Sequence, residues 1–363
     1  MKSNAAVAFR PHEEMQIREI DVAAPQEGEV VVQIKATGLC HSDLHALEGT
    51  LKFAVGFPGI PGHEGAGVVV DVGPGVTSLK PGDHVVPFPA ECRQCDLCLS
   101  GKTGLCEKAF GDWLATSRLF VDGQQAYPFQ GLGTFSEYTV VREICLAKVR
   151  EDAPFDQLSY LGCGVATGLG SALFVAKVTP GSSAIIFGMG GIGLNIVQGA
   201  RFAGATQIVA VDTNPQKESM ARKMGATDFV NPKDHDDLVG HLREITRGGG
   251  DFTFEAVGNV NLMRQTLDCA KIGWGICTIV GISPDGELLK VLPLDVIVGR
   301  KLQGSAMGGV KGRTMIPRLA DWMVEGKIDV GSLITAHLPL ERINEGYDMM
   351  RRGEGIRTVV TFP

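Results

Sequence analysis

Four cysteines stand at positions 92, 95, 98 and 106. The spacing C-x2-C-x2-C-x7-C puts four thiolates on one short loop, and closed four-thiolate coordination marks a structural zinc with no position left for substrate. The spacing differs from the ferredoxin-type cluster patterns. The chain has nine cysteines, an odd number, and its first residues (MKSNAAVAFRPHEE) hold no apolar run of signal-peptide length. Metal ligation therefore accounts for the four better than a disulfide framework, and a cytoplasmic location is expected. The lobe itself (ECRQCDLCLSGKTGLCEK) is charge-mixed, unlike the basic zinc modules that grip nucleic acid.

A second pattern constrains the middle of the chain. Gly188-Met189-Gly190-Gly191-Ile192-Gly193 fits G-x-G-x-x-G, follows the apolar run Ala184 to Phe187 and opens a helical stretch. Asp212 lies nineteen residues beyond Gly193, at the end of the next apolar run, Ile208 to Val211. This is the context of a dinucleotide fingerprint. Small residues admit the pyrophosphate to the backbone, and the helix N-terminus offers it free N–H groups. An acidic residue at the second strand accepts hydrogen bonds from the ribose hydroxyls and repels a 2′-phosphate, which favours NAD over NADP.

The texture around this turn supports it. Helix-like Gln216 to Met224, Asp237 to Thr246 and Asn261 to Ala270 alternate with strand-like Asp228 to Val230, Phe252 to Val257 and Ile276 to Gly281. Such alternation predicts a doubly wound parallel sheet. The first 150 or so residues read as β-rich, with Val30 to Ala36, Gly67 to Val72 and His84 to Pro87 as short strands between Gly, Pro and Asp turns. An amphipathic helix at Thr314 to Glu325 and a strand at Arg357 to Thr361 close the chain. Two uncharged windows, Gln157 to Ala176 and Val178 to Ala200, are long enough to span a bilayer. Gly, Pro and polar residues interrupt both, so buried segments are expected instead. With a net charge of −7, a broad nucleic-acid or anionic-membrane surface is not expected.

A looser constellation surrounds these patterns. Cys40, His41 and His45 precede His63-Glu64, and Cys163 sits far off between glycines. One imidazole and two thiolates with an open fourth position would make a catalytic zinc site. Spacing alone does not choose among Cys40, His41, His45, His63 and Cys163; taken singly, each reads as a buried cysteine or a surface histidine.

At this point the chain resembles a known family, the zinc-containing medium-chain alcohol dehydrogenases. The resemblance is carried by Gly38-Leu39-Cys40-His41-Ser42-Asp43, Gly62-His63-Glu64-Gly65-Ala66-Gly67, the four-cysteine lobe, Gly162-Cys163-Gly164-Val165-Ala166-Thr167-Gly168, the Gly-rich turn and Gly355-Ile356-Arg357-Thr358. It implies a GroES-like β-rich catalytic domain (1–164 and 307–363, with the zinc lobe at 92–106) interrupted by a Rossmann NAD-binding domain at 165–306. It implies two zincs per chain. Cys40, His63 and Cys163 would hold the catalytic one, with Glu64 beside it and Asp43 behind His63. Cys92, Cys95, Cys98 and Cys106 would hold the structural one. NAD would rest on the Gly-rich turn, with Asp212 and Lys217 at the adenosine ribose, His41 and Arg357 near the pyrophosphate, and Val280 and Ile282 along the cofactor.

The implied reaction is reversible oxidation of an alcohol to an aldehyde or ketone by hydride transfer to NAD. The proton would leave through Ser42, the cofactor ribose and His45. His41 stands where many relatives carry Arg, which implies weaker cofactor binding. Leu51, Phe88, Phe129, Ala306 and Met307 align with pocket positions and are apolar, so an apolar or aromatic alcohol is expected. The glutathione-dependent formaldehyde branch carries acidic residues where this chain has Gly49 and Leu51. The 110–133 loop is long, as in dimeric members of that family, so the resemblance implies a dimer rather than a tetramer. A lyase, or an oxidoreductase that never releases its cofactor, is the alternative on the same scaffold; a non-enzymatic zinc-stabilised binding protein is less favoured. Cys145, Cys269 and Cys277 are expected in the core.

Overall fold

The structure is a computed structural model that describes residues 1–50, 56–89, 91–100, 104–110 and 117–363. Leu51 and part of the 110–133 loop lie outside the described residues. The chain divides into two compact units, one of Met1–Cys163 with Lys311–Pro363 and one of Gly164–Val310.

The inner unit is built on a six-stranded sheet. In spatial order its strands are Asp228–Val230, Gln207–Val211, Ser183–Phe187, Phe252–Glu255, Ile276–Ile279 and Lys301–Gly304. Every neighbouring pair is parallel. The first strand of the series, Ser183–Phe187, is buried at all five positions, as a strand covered by helices on both faces must be. Its Ile185 and Phe187 pack with Val209, Val211, Val230, Leu242 and Cys269. Each such side chain contributes roughly 1.5–3 kcal/mol on full burial. The strand order reverses between Ser183–Phe187 and Phe252–Glu255, so the crevice outside their carboxyl ends is where a ligand of an open α/β sheet binds. The helix Gly191–Phe202 starts there.

The outer unit is antiparallel in its main part. Strand Glu29–Gly38 pairs with Glu64–Val72, with Tyr138–Arg142 and with Arg357–Thr361. The register decides the chemistry. Gly38 faces Glu64 on one side and Val359 on the other. Cys40, His63 and Arg357 each lie within two residues of this row, so the sheet gathers segments about 320 residues apart in sequence. Only glycine fits at 38, because a Cβ there would collide with the Glu64 carboxylate.

Two local features have physical causes. Residues 41–47 form a short helix, His41–Leu47, although only seven residues long; burial of Leu44, Ala46 and Leu47 holds it where intrinsic propensity would not. The windows 157–176 and 178–200 are not equivalent. Phe155–Val175 is helical, long and apolar enough to cross a membrane, and 83% of that stretch is buried inside the chain's own fold. Residues 178–200 instead contain strand Ser183–Phe187 and most of helix Gly191–Phe202.

Candidate metal centres and dinucleotide site

Cys40 ends the segment after strand Glu29–Gly38 and caps helix His41–Leu47. Asp43 lies in the first turn of that helix and is fully buried. Its Oδ1 accepts from His63 Nδ1 at 3.0 Å and from the Gly62 backbone N–H at 3.0 Å. This fixes the His63 ring and leaves Nε2 for a ligand. Cys163 arrives on the helical segment Leu161–Val165. The absence of a side chain at Gly162 lets that segment pack on the Pro87 carbonyl.

One ligand atom from each of Cys40, His63, Glu64 and Cys163 lies within 4.8 Å of the other three, and all four residues are buried. Neither His41 nor His45 joins this cluster. The hydrogen bond from Cys163, aided by His63, holds the Cys40 thiol well below its ordinary range, while Cys40 and burial push Cys163 well above its own. Burial pushes His63 down, but Asp43 and then Cys40 outweigh it and raise the imidazole well above its usual value. Burial lifts the Glu64 carboxyl to about 8 despite the Arg357 guanidinium 3.2 Å away. Asp43 Oδ2 and both Glu64 oxygens are buried without a hydrogen-bond partner among the described residues. Two thiols, an oriented imidazole and a buried carboxylate short of partners fit a zinc ion with an open coordination position.

The four-cysteine lobe is a second centre. The thiol sulfurs of Cys92, Cys95, Cys98 and Cys106 also lie within 4.8 Å of one another. Backbone N–H groups point at them: Gln94 and Cys95 donate to Cys92 Sγ, and Cys92 donates to Cys106 Sγ. Burial raises Cys92, but those N–H groups outweigh it and bring the thiol down to about 6. Lys311 Nζ donates to the Cys98 carbonyl and Gly312 N–H to Glu91 Oε1, tying the lobe to helix Gly312–Val324.

Of the relay residues, Ser42 Oγ lies 3.8 Å from Cys40 Sγ. His45 follows Ser42 by three residues on the same short helix, so both lie on one face. Its Nδ1 is 3.0 Å from Thr50 Oγ1. His41 is exposed at the start of that helix. Arg357, expected near the pyrophosphate, is only 6% exposed. Its guanidinium donates to the Leu39 carbonyl, faces Glu64 and lies 4.2 Å over the Tyr160 ring. In this arrangement Arg357 serves the metal ligands' neighbour.

In the inner unit the Gly-rich turn is laid out for a pyrophosphate. Gly188 has φ +94°, and Gly190 caps helix Gly191–Phe202 with nothing within 4 Å of where a Cβ would stand. At Gly193 a Cβ would penetrate the Gly188 carbonyl oxygen. Asp212 Oδ2 accepts from Met189 N–H at 2.7 Å and lies 3.3 Å from Lys217 Nζ; its Oδ1 accepts from Asn214 N–H at 2.9 Å. Ile192 lies in the first turn of the helix, while Val280 and Ile282 follow strand Ile276–Ile279 and Ile282 is 50% exposed.

Among the expected pocket residues, Phe129 meets the His63 ring edge-on with centroids 5.3 Å apart. Phe88 is buried against the site of Gly312. Ala306 and Met307 belong to the inner unit, Met307 at φ +50°. Two contributors escaped the sequence reading. Tyr160 lies under Arg357, and nothing in its sequence surroundings marks it. Glu255 Oε1 accepts the N–H groups of Val257, Gly258 and Asn259 at the carboxyl end of its strand. A lone acid closing the apolar run FTF was the available signal.

Residues 26–151 match the alcohol dehydrogenase GroES-like domain family, and residues 191–325 match the zinc-binding dehydrogenase family. An S-(hydroxymethyl)glutathione dehydrogenase of Paracoccus denitrificans is 47% identical over 376 residues, covering 100% of both chains. An alcohol dehydrogenase class-3 of Cereibacter sphaeroides is 48% identical over 377 residues with the same coverage. The crystal structure of benzyl alcohol dehydrogenase from Acinetobacter calcoaceticus superposes with a TM-score of 0.94 at 30% identity, covering 100% of both chains. The chain therefore belongs to the zinc-containing medium-chain alcohol dehydrogenase family. It is a zinc-dependent oxidoreductase with a nicotinamide dinucleotide as its cofactor.

Proposed function

We propose that the enzyme oxidises apolar or aromatic alcohols, primary or secondary, to aldehydes or ketones, with NAD as hydride acceptor. The observation that carries this is the Phe129 ring standing edge-on to the ligand His63 at 5.3 Å. Cys40, His63 and Cys163 hold the catalytic zinc, with Glu64 alongside, and Cys92, Cys95, Cys98 and Cys106 hold the structural one. Zinc at the first site supplies a Lewis acid that lowers the proton affinity of an alcohol oxygen. Asp43 keeps His63 in the ligating tautomer. Ser42 takes up the alcohol proton, and His45, oriented by Thr50, passes it outward. The Arg357 guanidinium beside Glu64 favours the ionised form of its carboxyl. Asp212 and Lys217 take the adenosine ribose, and the open face of Gly190 admits the pyrophosphate with help from His41. Apolar walls keep water from the reacting centre.

The likeness to a benzyl alcohol dehydrogenase supports an aromatic substrate. A second reading, oxidation of S-(hydroxymethyl)glutathione, is favoured by the names of relatives at 47–50% identity. Gly49 offers no acidic side chain for a glutathione ligand, which weighs against it. NADH formation from NAD separates the two, with benzyl and long-chain alcohols in one arm and formaldehyde plus glutathione in the other. The proposal expects kcat/KM on benzyl alcohol to exceed that on the adduct; the reverse order establishes the second reading.

We also propose a homodimer, formed through the edge strand Lys301–Gly304 of the inner unit. Ile297 and Leu294 beside it are 77% and 63% exposed, a cost that a second copy of the chain removes.

A further inference from the structure

Two buried oxygens behind the ligand cluster have no hydrogen-bond partner among the described residues: Asp43 Oδ2 and the Tyr347 hydroxyl. They are complementary, since an ionised carboxylate only accepts and a phenol has a proton to give. Asp43 is 0% exposed and Tyr347 2%. Asp43 lies in helix His41–Leu47 and Tyr347 in helix Ile343–Arg351. The Tyr347 ring meets Phe135 edge-on with centroids 6.2 Å apart. Phe135 in turn abuts Gly62, where an added Cβ would strike its ring, and Gly62 N–H donates to Asp43 Oδ1. Tyr347 and Phe135 pack in one cluster with Leu39 and Leu44, the neighbours of Cys40 and Asp43 in the chain. After burial, Asp43 is the strongest influence raising the phenol's proton affinity.

The rest of that cluster is apolar, with Met15, Leu47, Phe135, Leu340, Ile343 and Val360 as its larger members. A phenylalanine would fill the position equally well, and a hydroxyl left unpaired there would be a net cost. We infer that Tyr347 is a positioning residue whose hydroxyl donates to Asp43 Oδ2 across one buried water. The result is a line from Tyr347 through Asp43 to His63 that holds the imidazole at the metal. The inference rests on the reading in which His63 ligates the catalytic zinc.

The test is release of zinc from the purified holoenzyme to a chromophoric chelator, in the wild type, in Tyr347→Phe and in Ile343→Val. Release of two zincs per wild-type chain, one of them missing in Cys98→Ser, checks the underlying reading by itself and identifies the lobe phase. Tyr347→Phe is expected to speed only the other phase, by ~3- to 10-fold, below the 10–100-fold effect of losing a ligand's direct partner. With cobalt in the site, its visible absorption shifts. Ile343→Val, which trims the same cluster and removes no hydroxyl, leaves that phase unchanged. The inference is overturned if Tyr347→Phe leaves both phases unchanged and raises Tm, as loss of an unpaired hydroxyl would. It is equally overturned if both phases quicken together, or if Ile343→Val matches Tyr347→Phe.

Discussion

Asp43 occupies one His63 nitrogen at 3.0 Å and leaves the other for a metal, and no spacing rule joins two residues twenty positions apart. At the residue scale the sequence therefore left five candidates for three ligand places, and resemblance had to choose. The register that sets Gly38 opposite Glu64 brings Cys40 and His63 to one end of the sheet. The four-cysteine lobe was legible because its ligands are local. Arg357, Tyr160 and Tyr347 were harder, since their partners come from distant segments. His41 is a residue-scale departure with a measurable consequence. A neutral imidazole grips phosphate less firmly than a guanidinium. Hydrogen bonds to charged groups contribute ~1.5–3 kcal/mol against ~1 for neutral ones, so His41→Arg is expected to tighten NADH binding by up to about tenfold. Fluorescence titration of NADH reads this directly. An unchanged Kd would remove His41 from the cofactor site.

At the scale of elements, the inner sheet was the most legible part. Its strands are short apolar runs and its turns are marked by glycine, so period and punctuation agree. The ends were less well read: the run expected to reach Val257 stops at Glu255, whose carboxylate turns the chain by accepting three successive N–H groups. The short helix His41–Leu47 could not be read from propensity, because tertiary burial is what holds it. Two predictions belong here. In Gly193→Ala the methyl group would drive helix Gly191–Phe202 away from the Gly188 carbonyl. The NADH Kd is expected to rise at least about tenfold, equivalent to ~1.4 kcal/mol, while both zincs stay bound. Cys98→Ser opens the lobe. Metal analysis should then find one zinc per chain instead of two, and Tm should fall by several degrees, because the lobe anchors helix Gly312–Val324 through Lys311 and Gly312. Full zinc content in Cys98→Ser would refute closed four-thiolate ligation.

At the scale of the whole molecule, helix Pro293–Ile297 joins stability to assembly. It faces inward through Asp295, which pairs with Arg264 at 2.6 Å and Arg300 at 3.0 Å and accepts the Leu292 N–H. It faces outward through Leu294, Val296 and Ile297, beside the edge strand Lys301–Gly304. Neither face could be assigned from sequence, since five residues are too few to show a period. Arg264 foremost, opposed by partial burial, holds the Asp295 carboxyl below its usual range. A carboxyl with a depressed folded pKa stabilises the fold above its unfolded value of about 3.9 and loses that contribution as pH falls through the folded value. Asp295→Asn leaves Arg300, 7% exposed, as an unpaired buried charge, and breaking such a pair costs ~3 kcal/mol or more. Urea unfolding near neutral pH should register that loss. The gap between variant and wild type should narrow as pH falls below about 4, where the unfolded chain's carboxyl takes up its proton while the folded one is still ionised. Ile297→Asp alters only the outward face of the same helix. If a second copy covers that face, light scattering should find monomers where the wild type is dimeric, with zinc content and NADH affinity kept. A variant that stays dimeric would move the interface off this edge, and Leu294, Val296 and Ile297 would then need another partner.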